Sequence, residues 1–165
     1  MSGSAQTDRG PAPQESVARQ ESVARQGSVV RQGVAGSGMA WTAAAAIALA
    51  FAVAIGAFGA HGLQGKLDTY SMTIYERAVV YHFFHALGIL VVSALMAAGK
   101  LPPRGGAWVC RLLLAGIVLF SGSLYTLALT GQRTLGAVTP FGGVSFIAAW
   151  VVLAIIALRK RSPGP

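Results

Sequence analysis

The chain has 165 residues, thirteen Lys and Arg against five Asp and Glu, a formal charge of +8, and 54% apolar residues with only 11% charged. A water-soluble domain usually carries about 25% charge, so this composition argues against an ordinary soluble globule before any motif is read. The charges also cluster: seven fall in residues 1–38, three in 159–161 and eight in the 120 residues between. No long basic face exists to bind nucleic acid, and the basic excess instead suits the flanks of a membrane protein. The single cysteine, Cys110, excludes an intramolecular disulfide and any Cys-based zinc or iron–sulfur site, and reads as a small apolar helix residue.

Residues 1–38 are polar and rich in Gly, Ser, Gln and Arg. They hold a hexapeptide repeat at residues 15–20 (ESVARQ), 21–26 (ESVARQ) and 27–32 (GSVVRQ). Each unit offers too little apolar surface to bury, so a disordered tail is expected. Met39 stands directly before the first apolar run and is a candidate translation start, with the repeats upstream of it. The alternative for the first run is a cleaved secretory signal, with Ala57 and Gly59 before the cut.

Four apolar segments follow, each near the ~20 helical residues that cross a bilayer. They run over about residues 41–60, 79–98, 109–129 and 140–158. The second helix is expected to start about ten residues before its apolar run, after the capping candidate Asp68. Pro102 and Pro103 end it. Thr139 and Pro140 mark the start of the fourth: Thr can cap, and Pro is favoured in the first turn. Short links make sequential helices antiparallel neighbours. The expected fold is therefore all-α: an integral membrane four-helix bundle spanning residues 39–158, with a basic tail at 159–165.

Orientation follows from the cations. An even number of spans puts the N-terminal segment, the second link and the C-terminal tail on one side, with ten Lys and Arg. Lys66, Arg77 and Arg133 lie on the other. Both termini are therefore expected in the cytoplasm, in a plasma (inner) membrane. Trp41 and Trp108 should mark one interface, and Tyr70, Tyr75 and Tyr81 the other.

Lipid tails are as apolar as Leu, so close backbone approach and interhelical hydrogen bonds must hold the helices together. Ala44, Ala48, Ala52, Gly56 and Ala60 recur at i+4 as a small-residue ridge. That ridge serves either packing within the bundle or homo-oligomerisation. Ser121, Ser123, Tyr125, Thr126 and Thr130 supply hydroxyls on the third segment.

The candidate polar cluster is His61, Arg77, Tyr81 and His85. Arg77, Tyr81 and His85 share one helical stripe, and the hairpin returns His61 towards the same level. Its readings are a structural polar cluster, a metal or haem site, or a quinone or proton-relay site. The helix offers no Glu-x-x-His pair, and no metal or cofactor is assigned. None of the four spans holds Asp or Glu in its interior, which argues against a proton-coupled exporter. No P-loop, G-x-S-x-G or H-E-x-x-H motif is present. The expected role is a non-enzymatic accessory or membrane-integrity protein, whose partners are the lipid bilayer and other membrane proteins or a second copy. The alternatives are a redox-associated cofactor-, quinone- or metal-binding protein, and a passive channel or transporter subunit.

Residues 56–63 (GAFGAHGL), 78–87 (AVVYHFFHAL), 120–131 (FSGSLYTLALTG) and 135–143 (LGAVTPFGG), followed by Trp150, resemble the domain-of-unknown-function 423 family. Its members are YgdD-like and transmembrane protein 256-like small membrane proteins. The resemblance covers about residues 39–158. It implies a small all-helical membrane protein with no assigned biochemical activity. It places His61, Tyr81, His85, Ser121, Gly122, Ser123, Thr139 and Pro140 at pattern positions. The pattern more often carries Gln than His at position 82, which argues against a three-His ligand set. Family members begin just before the first span, in keeping with a start at Met39.

Overall fold

The computed structural model describes residues 13–159. Residues 1–12 of the N-terminal segment and 160–165 of the basic tail, including Lys160 and Arg161, lie outside the described residues. Five α-helices follow in order: α1 (Pro13–Phe58), α2 (Thr69–Ala97), α3 (Pro103–Gly116), α4 (Gly122–Thr130) and α5 (Thr139–Arg159). A π-turn, Gly59–Leu63, prolongs α1, and a second, Ile117–Ser121, joins α3 to α4 as one continuous rod. Four stretches are long and apolar enough to cross a bilayer: Gly38–Leu63, Thr69–Ala97, Pro103–Thr130 and Arg133–Arg159. They form an antiparallel bundle with α2 at its centre. The first span packs on α2; α2 packs on α3, the π-turn and α4; α5 lies along α3 and the π-turn.

Residues 13–38, within the segment expected as a disordered tail, are the first part of α1. The repeats are built from Glu, Ala, Arg and Gln, which favour helix. The premise behind the expectation still describes the segment, since every side chain from 17 to 28 is exposed. This part of α1 continues the helix of the first span.

The local signals explain the boundaries. The Ser71 backbone N–H (2.8 Å) and hydroxyl (3.1 Å) donate to the Asp68 carboxylate, capping α2 and holding the Asp68 pKa below the ordinary carboxylate value. Pro103 sits in the first turn of α3, where its missing N–H costs nothing, so the Pro pair that follows one helix also starts the next. Gly131 ends α4 in the left-handed conformation (φ 70°) that glycine alone adopts freely. The fourth span begins earlier than expected, with a 3-10 turn, Arg133–Ala137, leading into α5 at Thr139.

Two apolar cores result. One unites Ile89, Val92 and Met96 of α2 with Val109 and Leu113 of α3 and Phe146 of α5. The other holds Leu63, Tyr75 and Ala128. Between them, on α2 and the α3–α4 rod, come the buried polar residues His82, Ser121 and Ser123.

Candidate functional site

The expected ridge on α1 shares Ala52 with the enclosed row but not its spacing. The enclosed positions are Gly38, Ala45, Ala52 and Gly59, a heptad of small residues. Ala48 and Gly56 flank it half-buried, and Ala60 is exposed. An i+4 row drifts around a helix, whereas a seven-residue row follows the seam between two helices at a shallow crossing. A Cβ at Gly59 would lie 2.5 Å from the Tyr75 ring, and one at Gly56 would lie 3.2 Å from Val79.

The hydroxyls on the third span divide. Ser123 Oγ pairs with Thr139 Oγ1 at 2.8 Å, tying α4 to α5. Thr139 therefore starts α5 without capping it: its hydroxyl turns back to Ser123. Thr126 and Thr130 donate to carbonyls four residues back in their own helix. Ser121 is fully enclosed, and its Oγ has no hydrogen-bond partner among the described residues. Gly122 between them is half-buried. Three further bonds between helices were not anticipated from sequence: Thr42 Oγ1 with Ser93 Oγ (3.1 Å), Tyr75 O–H to the Ile55 carbonyl (2.7 Å) and Ser145 O–H to the Leu112 carbonyl (2.8 Å).

The two serines give opposite expectations. Ser121→Ala removes an unmatched buried hydroxyl and should leave stability unchanged or raise it by about 1 kcal/mol. Ser123→Ala leaves the Thr139 hydroxyl only the Leu135 carbonyl at 3.5 Å and should lower stability by about 0.6 kcal/mol. Chemical unfolding in detergent micelles distinguishes them, and a loss at Ser121 equal to that at Ser123 would refute the assignment.

The candidate cluster separates into three places. His61 lies exposed in the π-turn after α1, and Arg77 is exposed on α2. His85 belongs to an aromatic group. Its ring stacks on Phe146 (centroids 3.4 Å), with Tyr81 at 5.7 Å and Trp150 at 6.1 Å, and its Nδ1 bonds the Tyr81 carbonyl at 2.7 Å. Tyr81 in turn stacks on Phe120 (4.5 Å). Tyr81 and His85 thus stack on one face of α2, and their aromatic neighbours on the other helices are Phe120, Phe146 and Trp150. Among the described residues, no three His, Cys, Asp or Glu side chains gather as a metal-holding group. Tyr75, expected at the interface, is turned inward and is 2% exposed.

A second polar group was missed in the sequence. His82 is 7% exposed and its Nδ1 lies 3.4 Å from the Tyr125 hydroxyl of α4. The same ring lies beside Ala48 of α1. Tyr125 packs against Tyr75 with centroids 5.2 Å apart. His82 and Tyr125 thus join α1, α2 and α4 at one level. Beside them lies a crevice of ≈ 580 Å³ between the first and third spans, walled by Ile47 and Phe51 of α1 and by Leu114, Val118 and Gly122. It forms because α1 leans on α2 and touches α3 only sparsely. Arg77, Tyr81 and His85 line none of it. A helical period places Tyr125 three residues beyond Gly122 and seven beyond Val118, which is the signal that one face carries all three.

Comparison with known proteins agrees with this architecture. The family model described as "Protein of unknown function (DUF423)" matches residues 55–143, which contain the histidines, both π-turns and Gly142. The UPF0382 membrane protein of Staphylococcus epidermidis strain RP62A is 51% identical over 108 residues, 66% of this chain and 86% of that protein. The UPF0382 membrane protein YwdK of Bacillus subtilis is 47% identical over 115 residues, 69% of this chain and 92% of that one. The UPF0382 membrane protein of Staphylococcus haemolyticus is 46% identical over 110 residues, 67% and 88% of the two chains. No solved structure matches the chain. With half its length matched by the family model and relatives covered almost end to end, this four-span chain belongs to the DUF423 family of membrane proteins.

Proposed function

We propose that this multi-pass membrane protein is a non-enzymatic accessory or membrane-integrity component of the plasma membrane, with both termini in the cytoplasm. The observation that supports the reading is the unequal burial of the spans. In their most apolar windows the second and third spans are each 44% buried, the first 22% and the fourth 17%. The two outer helices thus offer most of their apolar surface to lipid or to other helices. The hydroxyl pairs described above serve to fix helices to one another, a structural use of polar side chains.

Gentle crosslinking in native membranes, followed by affinity purification, tests the accessory role. The expected result is a stoichiometric membrane-protein partner or a second copy. Recovery as a monomer, together with unchanged dye permeability of cells lacking the protein, would overturn the reading. Orientation has its own test, for which buried Cys110 supplies a quiet background. In intact cells an impermeant maleimide should label Gln132→Cys and spare Ser162→Cys; the reverse pattern would invert the topology.

A further inference from the structure

We propose that the crevice between the first and third spans is a binding site for a membrane-soluble quinone, whose carbonyl oxygen takes up the Tyr125 hydroxyl beside His82. Small-molecule sites are concave, mostly apolar and furnished with a few placed polar groups, in volumes of roughly 300–1,000 Å³. This crevice has ≈ 580 Å³. Its walls face outward, with Ile47 and Phe51 each 59% exposed and Val118 63% exposed, so a ligand dissolved in the bilayer enters sideways. Its polar groups are confined to His82 and Tyr125.

Gly122 shows that this space is unfilled by the protein. At Gly116 and Gly142 an added Cβ would run into Phe146 and Phe120 respectively, so those glycines exist to admit a neighbour. At Gly122 a Cβ would meet nothing within 4 Å. The third span therefore has a notch that none of the described residues fills, and the notch opens into the crevice.

The floor decides the ligand's chemistry. The neutral imidazole of His82 has one acceptor nitrogen, and its Nδ1 contacts the Tyr125 hydroxyl. That contact, at 3.4 Å, is beyond the usual range for a good hydrogen bond. The Tyr125 hydroxyl can thus turn to a stronger acceptor entering the crevice at little loss. No Lys, Arg, Asp or Glu lines the space. A phosphate headgroup would find no countercharge there, and charge within a span is costly. A neutral carbonyl meets no such penalty. A planar ring also suits the π faces of Phe51 and Tyr125, and a prenyl or alkyl tail suits the open apolar flank. A hydroxyl-bearing polycyclic lipid shares the neutral oxygen but offers it as a donor as well as an acceptor.

The test uses the full chain in phosphatidylcholine nanodiscs, titrated with a decyl-tailed benzoquinone, bound ligand being measured chromatographically. Saturable, stoichiometric binding is expected. Gly122→Leu should weaken it by at least about tenfold while leaving thermal unfolding unchanged, because the new side chain fills the notch and little else. Gly122→Ala supplies a smaller plug should the leucine variant fail to fold. Tyr125→Phe should weaken quinone binding several-fold, and decylbenzene, which lacks the carbonyls, should bind no better to the parent than to this variant. Non-saturable uptake, wild-type binding by a folded Gly122→Leu, or equal binding of decylbenzene and the quinone would overturn the proposal. Cholesterol displacing the quinone at lower concentration than unlabelled quinone does would also overturn it, in favour of a hydroxyl lipid. Partner capture plays no part in these measurements, so they stand or fall separately from the accessory role.

Discussion

Gly142→Ala is expected to destabilise the bundle by about 3 kcal/mol, at the upper end of what a single added methyl costs in a packed interior. Gly142 lies one turn into α5, over the π-turn between α3 and α4. A Cβ built there would sit 2.7 Å from the Phe120 Cα and closer still to its backbone nitrogen. Backbone cannot swing aside as a side chain can, so the whole of α5 would have to lift. The Ser123–Thr139 pair, 2.8 Å long and one turn away, would be pulled apart with it. Gly136→Ala is the matched control, since a Cβ there meets nothing within 4 Å. Denaturant unfolding in micelles measures both. Equal stability of the two variants would mean that α5 does not approach the π-turn as described.

The size of that effect reflects how the bundle is held. In lipid, burying an apolar side chain gains nothing over leaving it among acyl chains, so attraction must come from contacts that lipid cannot match. The structure meets this with glycine facing bulk. A Cβ added at Gly88 would lie 3.0 Å from the Trp150 ring, one at Gly105 would lie 2.8 Å from Ile156, and one at Gly116 would run into Phe146. All three pairs bring α5 onto α2 or α3. The π-turn widens the rod where Phe120 meets Gly142, and such turns are frequent at sites of special packing.

Much of the fold could be read directly from residue types. Apolar runs of bilayer length located the spans, Asp68 located the start of α2, and the Pro pair located the link before α3. Those signals are local, and a helix in lipid cannot easily override them because its backbone must satisfy itself. The π-turns were not legible. Each inserts a single residue into a helix, and hydropathy averaged over twenty residues does not register it. The seam on α1 was given the wrong spacing, with Ala52 alone in common, for a related reason. Ala44, Ala45 and Ala46 are chemically identical, so only the partner helix distinguishes which of them faces inward.

The site was less legible than the fold. Tyr81 and His85 were recognised as one stripe, and they do stack together. What lay across from them was Phe120, Phe146 and Trp150, which no spacing within α2 could disclose. His82 was set aside because the family pattern favours Gln there. In the structure it is the most enclosed of the three histidines, with the Tyr125 hydroxyl of α4 beside its Nδ1. Gln offers both a donor and an acceptor, so the pattern fits a hydrogen-bonding position rather than a ligand position. A polar side chain inside a span is expensive unless partnered, so such a residue is better judged by its partners than by its own chemistry.

Tyr75 gives the second large expectation, because it carries two kinds of interaction that can be separated. Its ring fills the space over Gly59 and packs on Tyr125 at 5.2 Å, and its hydroxyl donates to the Ile55 carbonyl at 2.7 Å. Tyr75→Ala should cost about 4 kcal/mol, since the ring is 2% exposed and its loss leaves a cavity at the centre of the smaller core. Tyr75→Phe removes only the hydroxyl and should cost about 0.6 kcal/mol, the usual value for a bond between membrane helices. Both variants are read by denaturant unfolding in the same micelles. If the phenylalanine variant lost as much as the alanine one, the hydroxyl rather than the ring would anchor α1 to α2. If neither lost stability, the enclosed position of Tyr75 would be wrong, and with it the support that Tyr125 receives beside the crevice.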